Sequence, residues 1–271
     1  MIAAWVNSEP TESVSVTNRG LNFADGHFTT MLVEQGQIAS WPLHQQRLRR
    51  GCHLLKMAEP CWDSLWHTLQ QALTRCDAQG LGVIKVVLTR GGQGRGYGGE
   101  YLAQPEVLVS VHLYPNHYLA WQQQGIALEL ATTPIATLGC GFGIKSLART
   151  EQVLLRFELD ASAADDLIVC NTDGEIIEAC AANLFFWQGD TLVTPALCRS
   201  GVSGVMRQRV LGTAAQLGID VQVRSISTFQ LHQFDGAFVC NGLMKLVPVV
   251  KLEHRTLAIS DLFRQLQHSL L

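Results

Sequence analysis

Residues 138–154 read LGCGFGIKSLARTEQVL. Three glycines and no charge precede Lys145, and a polar, helix-compatible run follows it. The spacing predicts a helix from about Ser146 to Ala161. A lysine reached through an apolar approach is placed for partial desolvation, which lowers its pKa and leaves the neutral amine available. The plainer reading is the solvated end of a strand–helix junction, and the residue alone does not choose between them.

Outward from Lys145, the second half is rich in hairpins. IALELAT before it is a strand. After it, LIVC and EIIEA flank a turn at Asn171-Thr172-Asp173-Gly174, and Asp-Gly is a strong hairpin signal. NLFFW and TLVTP flank Gln188-Gly189-Asp190. VMRQRVLGTAAQLG predicts a helix with Ser203 as N-cap and Gly218 as its stop. AFVCNG, LVPVVKL and a helix from about Ser260 follow. In the first half, WVNSEP and SVSVTN predict short strands, and FADGHFTTMLVEQGQIA a hairpin turning at Gln35-Gly36. Pro42 suits a helix start, with Leu48, Cys52 and Leu55 on one face. A second helix is expected from about Asp63 to Gly80, then VIKVVLTRG, a glycine-rich loop and EVLVSVHLY. The pattern breaks around LYPNHYLAW. The expected organisation is α+β in two domains, 1–115 and 121–271, the second carrying Lys145.

The net charge of −3 and the absence of a basic stripe argue against a nucleic-acid binder. No apolar run reaches the length of a membrane span. The opening MIAAWVNSEP lacks a basic n-region, so no signal peptide is expected. The eight cysteines are scattered without a C-x-x-C pair, as expected of reduced thiols in a cytoplasmic protein. No histidine–cysteine spacing suggests a metal.

Two further features pair with Lys145. Glu178 ends EIIE before small residues, where a carboxylate can approach a planar ring and pair with a protonated ring nitrogen; an ordinary strand-end glutamate is the alternative. GVSGVMR, residues 201–207, runs a glycine-flanked turn into a helix N-terminus, which suits a phosphate but also serves as a plain cap. An amine for an aldehyde, an acid for a ring nitrogen and a cradle for a phosphate are together the parts that pyridoxal 5'-phosphate requires.

Taken jointly, KSLARTEQVL, DGEIIEACAANLF and GVSGVMR, with FADGHFTT and HQQRL upstream, resemble the class IV aminotransferases in order and spacing. The resemblance implies a two-domain D-amino-acid aminotransferase-like fold, the type IV fold of pyridoxal-phosphate enzymes, and a homodimer. It implies that Lys145 carries the cofactor and shuttles protons, and that Glu178 holds the ring nitrogen. Arg47 would hold the phosphate, although a solvated helix arginine is the plainer reading. Val202 and Ser203 would add amides and the Ser203 hydroxyl, and Cys240-Asn241-Gly242 would close the phosphate cup. Where Asn241 and Gly242 stand, relatives often have Ser or Thr, so one hydroxyl contact is expected to be missing.

Within the family, TRGGQGRGY, residues 89–97, resembles the loop of the aminodeoxychorismate lyases, and FADGHFTT and NGLM are also similar to theirs. This implies Arg95 and Tyr97 at the substrate, Arg95 as a bidentate carboxylate clamp, with Arg149 or Arg207 as fallbacks. Thr30 is a further substrate-side candidate that reads equally as a strand threonine. Thr29 stands where the aminotransferases tend to have an acid. The implied reaction takes 4-amino-4-deoxychorismate to 4-aminobenzoate and pyruvate, in folate biosynthesis. Alternatives are an aminotransferase for branched-chain or D-amino acids and a non-catalytic binding protein of the same family.

Overall fold

The computed structural model describes residues 1–11, 13–77, 80–92, 94–137 and 143–270. The glycine-rich approach at 138–142 and Gln93 lie outside the described residues. The chain groups into two compact units, Met1–Pro115 with Ile144–Ala148, and Asn116–Gly143 with Arg149–Leu271.

The first unit contains β1 (Ala3–Val6), β2 (Glu9–Pro10), α1 (Arg19–Phe23), β3 (Gly26–Glu34), β4 (Gln37–Ile38), α2 (Trp41–Leu54), α3 (Trp62–Leu73), β5 (Leu81–Thr89) and β6 (Glu106–Leu113). Its sheet has the order β2-β1-β6-β5-β3-β4 and is antiparallel throughout. The period of two along each strand divides it into two faces. Met31, Ile84, Val86 and Val109 pack with Leu48 of α2 and Leu65 and Leu69 of α3. The opposite face carries Phe28, Thr30, Lys85 and Ser110. Gly51 allows α2 to lie against the sheet, because a Cβ there would strike the His27 ring. Gln35 and Gly36 both take positive φ in the β3–β4 turn, as expected. The segment around SVSVTN forms no strand.

The second unit contains α4 (His117–Gln124), β7 (Ile126–Leu130), α5 (Thr150–Asp160), β8 (Asp166–Cys170), β9 (Ile176–Ala179), β10 (Asn183–Gln188), β11 (Thr191–Pro195), α6 (Val205–Gln216), β12 (Val221–Arg224), a 3-10 turn (Thr228–Gln233), β13 (Gly236–Asn241), β14 (Lys245–Leu252), β15 (Arg255–Thr256) and α7 (Asp261–Leu270). The sheet order is β12-β11-β10-β13-β14-β7-β8-β9, with β15 on β14. NLFFW is apolar throughout because β10 is covered on both faces. Leu184 and Phe186 enter one core, where Phe186 stacks on Phe234 at 4.5 Å. Phe185 and Trp187 enter the other, beneath α6 and α7, where Phe185 stacks on Phe238 at 4.9 Å.

Three expectations are corrected. Lys145 groups with the first unit, because Phe28 N donates to Lys145 O at 2.8 Å and Leu147 N to Gly26 O at 3.0 Å. That pairing keeps residues 145–148 out of the helix, so α5 begins at Thr150 and not near Ser146. The N-cap of α6 is Gly204, not Ser203, and no side chain caps it.

Candidate active site

In the second unit, β9 delivers Glu178 into a buried position, where Oε2 accepts from Val202 N at 2.8 Å. The close approach depends on Gly201. Its φ is +83°, and a Cβ would meet Ile177 Cγ2 at 2.5 Å and Glu178 Oε2 at 3.2 Å. Asn183, at the start of β10, grips the same turn from the other side, donating to Val202 O at 2.7 Å and accepting from Gly204 N at 3.1 Å. Ser203 N donates to Gly143 O at 3.0 Å. The two amides expected to face a phosphate, Val202 and Ser203, therefore donate to Glu178 and Gly143. The first-turn amides of α6 come next in the chain, ahead of its first helical bond, Gln208 N to Gly204 O.

The turn after Glu178 is held by Asp166, which sequence reasoning missed. Its Oδ1 accepts from Cys180 N at 3.1 Å and Leu167 N at 2.8 Å, and burial pushes its carboxyl up to about 6. Asn241 also serves this turn, donating to Ala181 O at 3.1 Å. Its Oδ1 accepts from Leu243 N and Met244 N, both at 2.8 Å. The Asn241 side chain is thus committed to turns, and Gly242 sits half-buried beside it. Burial lowers the Arg149 guanidinium below its ordinary value, and the charge of Glu178 opposes that shift. Arg207 is buried and donates to Pro195 O at 3.1 Å, so it is a structural residue and no clamp.

In the first unit, Lys145 Nζ lies 5.0 Å from the centre of the Phe28 ring. Lys85 Nζ lies 4.7 Å from the same centre. Thr30 is directly opposite Lys85 in the β3–β5 register. Thr29 points the other way. It is fully buried, with Oγ1 2.6 Å from His44 Nδ1, so its hydroxyl belongs to the core and not to a ligand. Arg47 follows His44 by one turn of α2, and its charge, after burial, helps hold that ring neutral, at about 3.

Arg95 and Tyr97 are exposed on the β5–β6 loop, and buried Arg19 holds that loop. Arg19 donates to Gly96 O at 2.9 Å, Gly98 O at 3.2 Å and Tyr97 O at 3.2 Å, while its Nε meets Asp25 Oδ2 at 2.9 Å. Arg90 shares that carboxylate at 2.9 Å and reaches Glu100 O at 3.2 Å. Asp25, from FADG, is thereby wired to the glycine-rich loop, and its two arginine partners lower its carboxyl pKa against the opposing effect of burial. The sequence signal was present in Asp25 and Arg90, but nothing local linked them to Arg19.

A family model described as amino-transferase class IV matches residues 26–252. The chain belongs to the class IV aminotransferase family. Within class IV, it is 34% identical to the aminodeoxychorismate lyase of Vibrio harveyi over 245 residues, 90% of this chain and 89% of that one. It superposes on the crystal structure of 4-amino-4-deoxychorismate lyase from Pseudomonas aeruginosa with a TM-score of 0.92 at 31% identity, covering 98% and 97% of the two chains. It shares its fold with the PLP-bound form of a hypothetical aminotransferase from Mycobacterium tuberculosis, with a TM-score of 0.84 at 19% identity, covering 98% and 96%. The class IV fold is therefore established across both units. No helix among the described residues is long and apolar enough to cross a membrane.

Proposed function

We propose that this chain is a pyridoxal-phosphate lyase that converts 4-amino-4-deoxychorismate into 4-aminobenzoate and pyruvate. The observation that carries the reading is the near-complete match, in sequence and in fold, to two lyases of that name. The reading is a lyase and not a transaminase because the glycine-rich loop with Arg95 and Tyr97 is lyase-like, whereas Thr29, spent on His44, no longer bears on the choice.

The residues present fit the cofactor. Glu178 is a buried carboxylate pressed against a turn that only glycine at 201 permits, which suits it to hold a proton on a ring nitrogen. Ser203 and the first turn of α6 suit the phosphate, with Arg47 from α2 as its cation. When bound, the cofactor supplies an electron sink for the charge left by C–H cleavage. Lys145 would hold the cofactor through Nζ, and the same amine, when free, would take the proton from C4 of the substrate and return one to the methylene of the enolpyruvyl group. The ether C–O bond then breaks, pyruvate leaves, and the ring becomes aromatic. Arg95 and Tyr97 orient the substrate. No keto acid is consumed.

A homodimer in the cytoplasm completes the reading. Val153, Leu154 and Phe157 leave more than half of their surface exposed on one side of α5, an apolar face that a second copy would cover.

The test is Arg95→Ala in the holoenzyme. The variant should keep the cofactor's absorbance and lose kcat/KM for aminodeoxychorismate by about ten- to a hundredfold, as expected for a charged hydrogen bond. Undiminished kcat/KM would remove Arg95 from the substrate site.

A further inference from the structure

Asp166 is a buried carboxylate, and none of the ion pairs among the described residues includes it. Burying a charge without an ionic partner is unfavourable, and only strong hydrogen bonds to it offset that cost. What Asp166 holds in return is a turn. β9 ends at Ala179, which pairs with Ile168 of β8. Cys180 lies beyond the ladder, and its amide donates to the Asp166 side chain, Oδ1, at 3.1 Å. Ala179 N closes the turn on Ala182 O at 2.7 Å, and Ala181 O accepts from Asn241 Nδ2 at 3.1 Å. Residues 179–182 are Ala-Cys-Ala-Ala, with no side chain long enough to brace the turn from within. The brace comes from two other strands, since Asp166 opens β8 and Asn241 ends β13.

That turn joins two residues of the site. Glu178 stands just before it and accepts from Val202 N at 2.8 Å. Asn183 follows it and donates to Val202 O at 2.7 Å. The titratable and charged groups that act on Asp166 are Cys180 on the turn, Tyr118 on α4 and Arg156 on α5. Burial and the Asp166 charge push the Cys180 thiol up to about 12, and the same two causes raise the Tyr118 phenol, so both stay protonated around neutral pH. Burial pushes the Asp166 carboxyl up to about 6, against hydrogen bonds from Leu167 and Cys180 and the charge of Arg156. Those hydrogen bonds favour the ionised form, so they weaken when the carboxyl takes a proton.

We infer that Asp166 is a positioning residue of the reaction: through the 179–182 turn it holds Glu178 in place for the cofactor's ring nitrogen. The inference rests on Glu178 as the partner of that nitrogen, and not on the identity of the substrate. Asp166 touches neither cofactor nor substrate and acts only through the turn. A neutral Asp166 leaves the Cys180 amide with a weaker acceptor, so the turn loosens and Glu178 is held less firmly against the Val202 amide.

The test is a double-mutant cycle in the holoenzyme. Asp166→Asn keeps the shape of the side chain and removes its charge. At about pH 8 it should lower kcat by about tenfold, the scale of one charged hydrogen bond, with KM little changed and the cofactor's absorbance kept. In a Glu178→Gln background the same substitution should lower kcat no further, because the residue it acts through is already lost. An equal loss in both backgrounds makes Asp166 merely structural and overturns the inference, as does an unchanged kcat in the parent background. The gap between the parent and Asp166→Asn should close as pH falls through about 6, where the parent's own Asp166 becomes neutral. A gap that stays constant with pH overturns the inference as well. Amide exchange in the parent keeps the test open if the variant does not fold. Protection across residues 179–182, corrected for the intrinsic rate, should drop as pH falls through about 6, while that of β5 does not. Unchanged protection overturns the assignment. Failure of the parent to form 4-aminobenzoate from aminodeoxychorismate overturns the lyase reading instead, and the exchange measurement still decides the role of Asp166.

Discussion

At the scale of single residues, the site depends on what surrounds each charge more than on which charges are present. Glu178 and Lys145 stand out in the sequence, Lys145 because a glycine-rich stretch precedes it and Glu178 because small residues follow it. Gly201 is legible only in part: the glycine is visible, but its role in letting the Val202 amide reach Glu178 requires the fold. Asp166 and Arg19 were not legible, because each holds a turn or loop that nothing in its own stretch of sequence points to. Glu178→Gln should retain the cofactor but slow turnover by about a hundredfold, the scale of losing one preorganised electrostatic partner. Turnover at the parental rate would remove Glu178 from the ring nitrogen. A second expectation concerns His27 and His44, which burial holds neutral at about 4 and about 3, below the 6.5 of the free side chain. The unfolded chain takes up protons at these two sites as pH falls below 6.5, while the folded chain does not. Their stabilising contribution is therefore complete above 6.5 and is lost as pH falls toward 4 and 3. Asp166 has the opposite sign, since its raised carboxyl favours the folded form as pH drops through about 6. At about pH 5 each histidine costs ~2 kcal/mol. Denaturant titrations at pH 7 and pH 5 should show His44→Gln losing less stability between the two than the parent, by about that amount. An identical loss would mean that His44 is not held neutral.

At the scale of elements, strands were easier to anticipate than helix ends. β5, β6, β10 and β14 carry dense β-branched or aromatic runs that fix them locally. α4 escaped notice because none of its residues is buried, so it has no apolar stripe to betray a helical period. The late start of α5 has a tertiary cause, since residues 145–147 bond to β3 first. The glycine-rich β5–β6 loop depends on Arg19, whose guanidinium binds three of its carbonyls. Arg19→Lys cannot span them, because an ammonium lacks the planar fork. The substitution should raise KM for aminodeoxychorismate by about tenfold, close to the lower end of the value of one charged hydrogen bond, with a smaller change in kcat. It should also speed amide exchange across residues 96–99. A variant with the parent's KM and exchange would show that the loop holds its shape without Arg19.

At the scale of the whole molecule, the division near residue 115 and the hairpin-rich second half follow from patterning, whereas the grouping of Lys145 with the first unit does not. Lys145 groups with one unit, and Glu178 and the α6 turn with the other. The most direct measurement is a product count. Purified holoenzyme is incubated with 4-amino-4-deoxychorismate and no keto acid, and 4-aminobenzoate and pyruvate are quantified together. The account predicts equal amounts of the two, continuing over many turnovers, while leucine and D-alanine react slowly with 2-oxoglutarate. Absence of 4-aminobenzoate alongside rapid transamination of either amino acid would contradict it and place the chain among the aminotransferases.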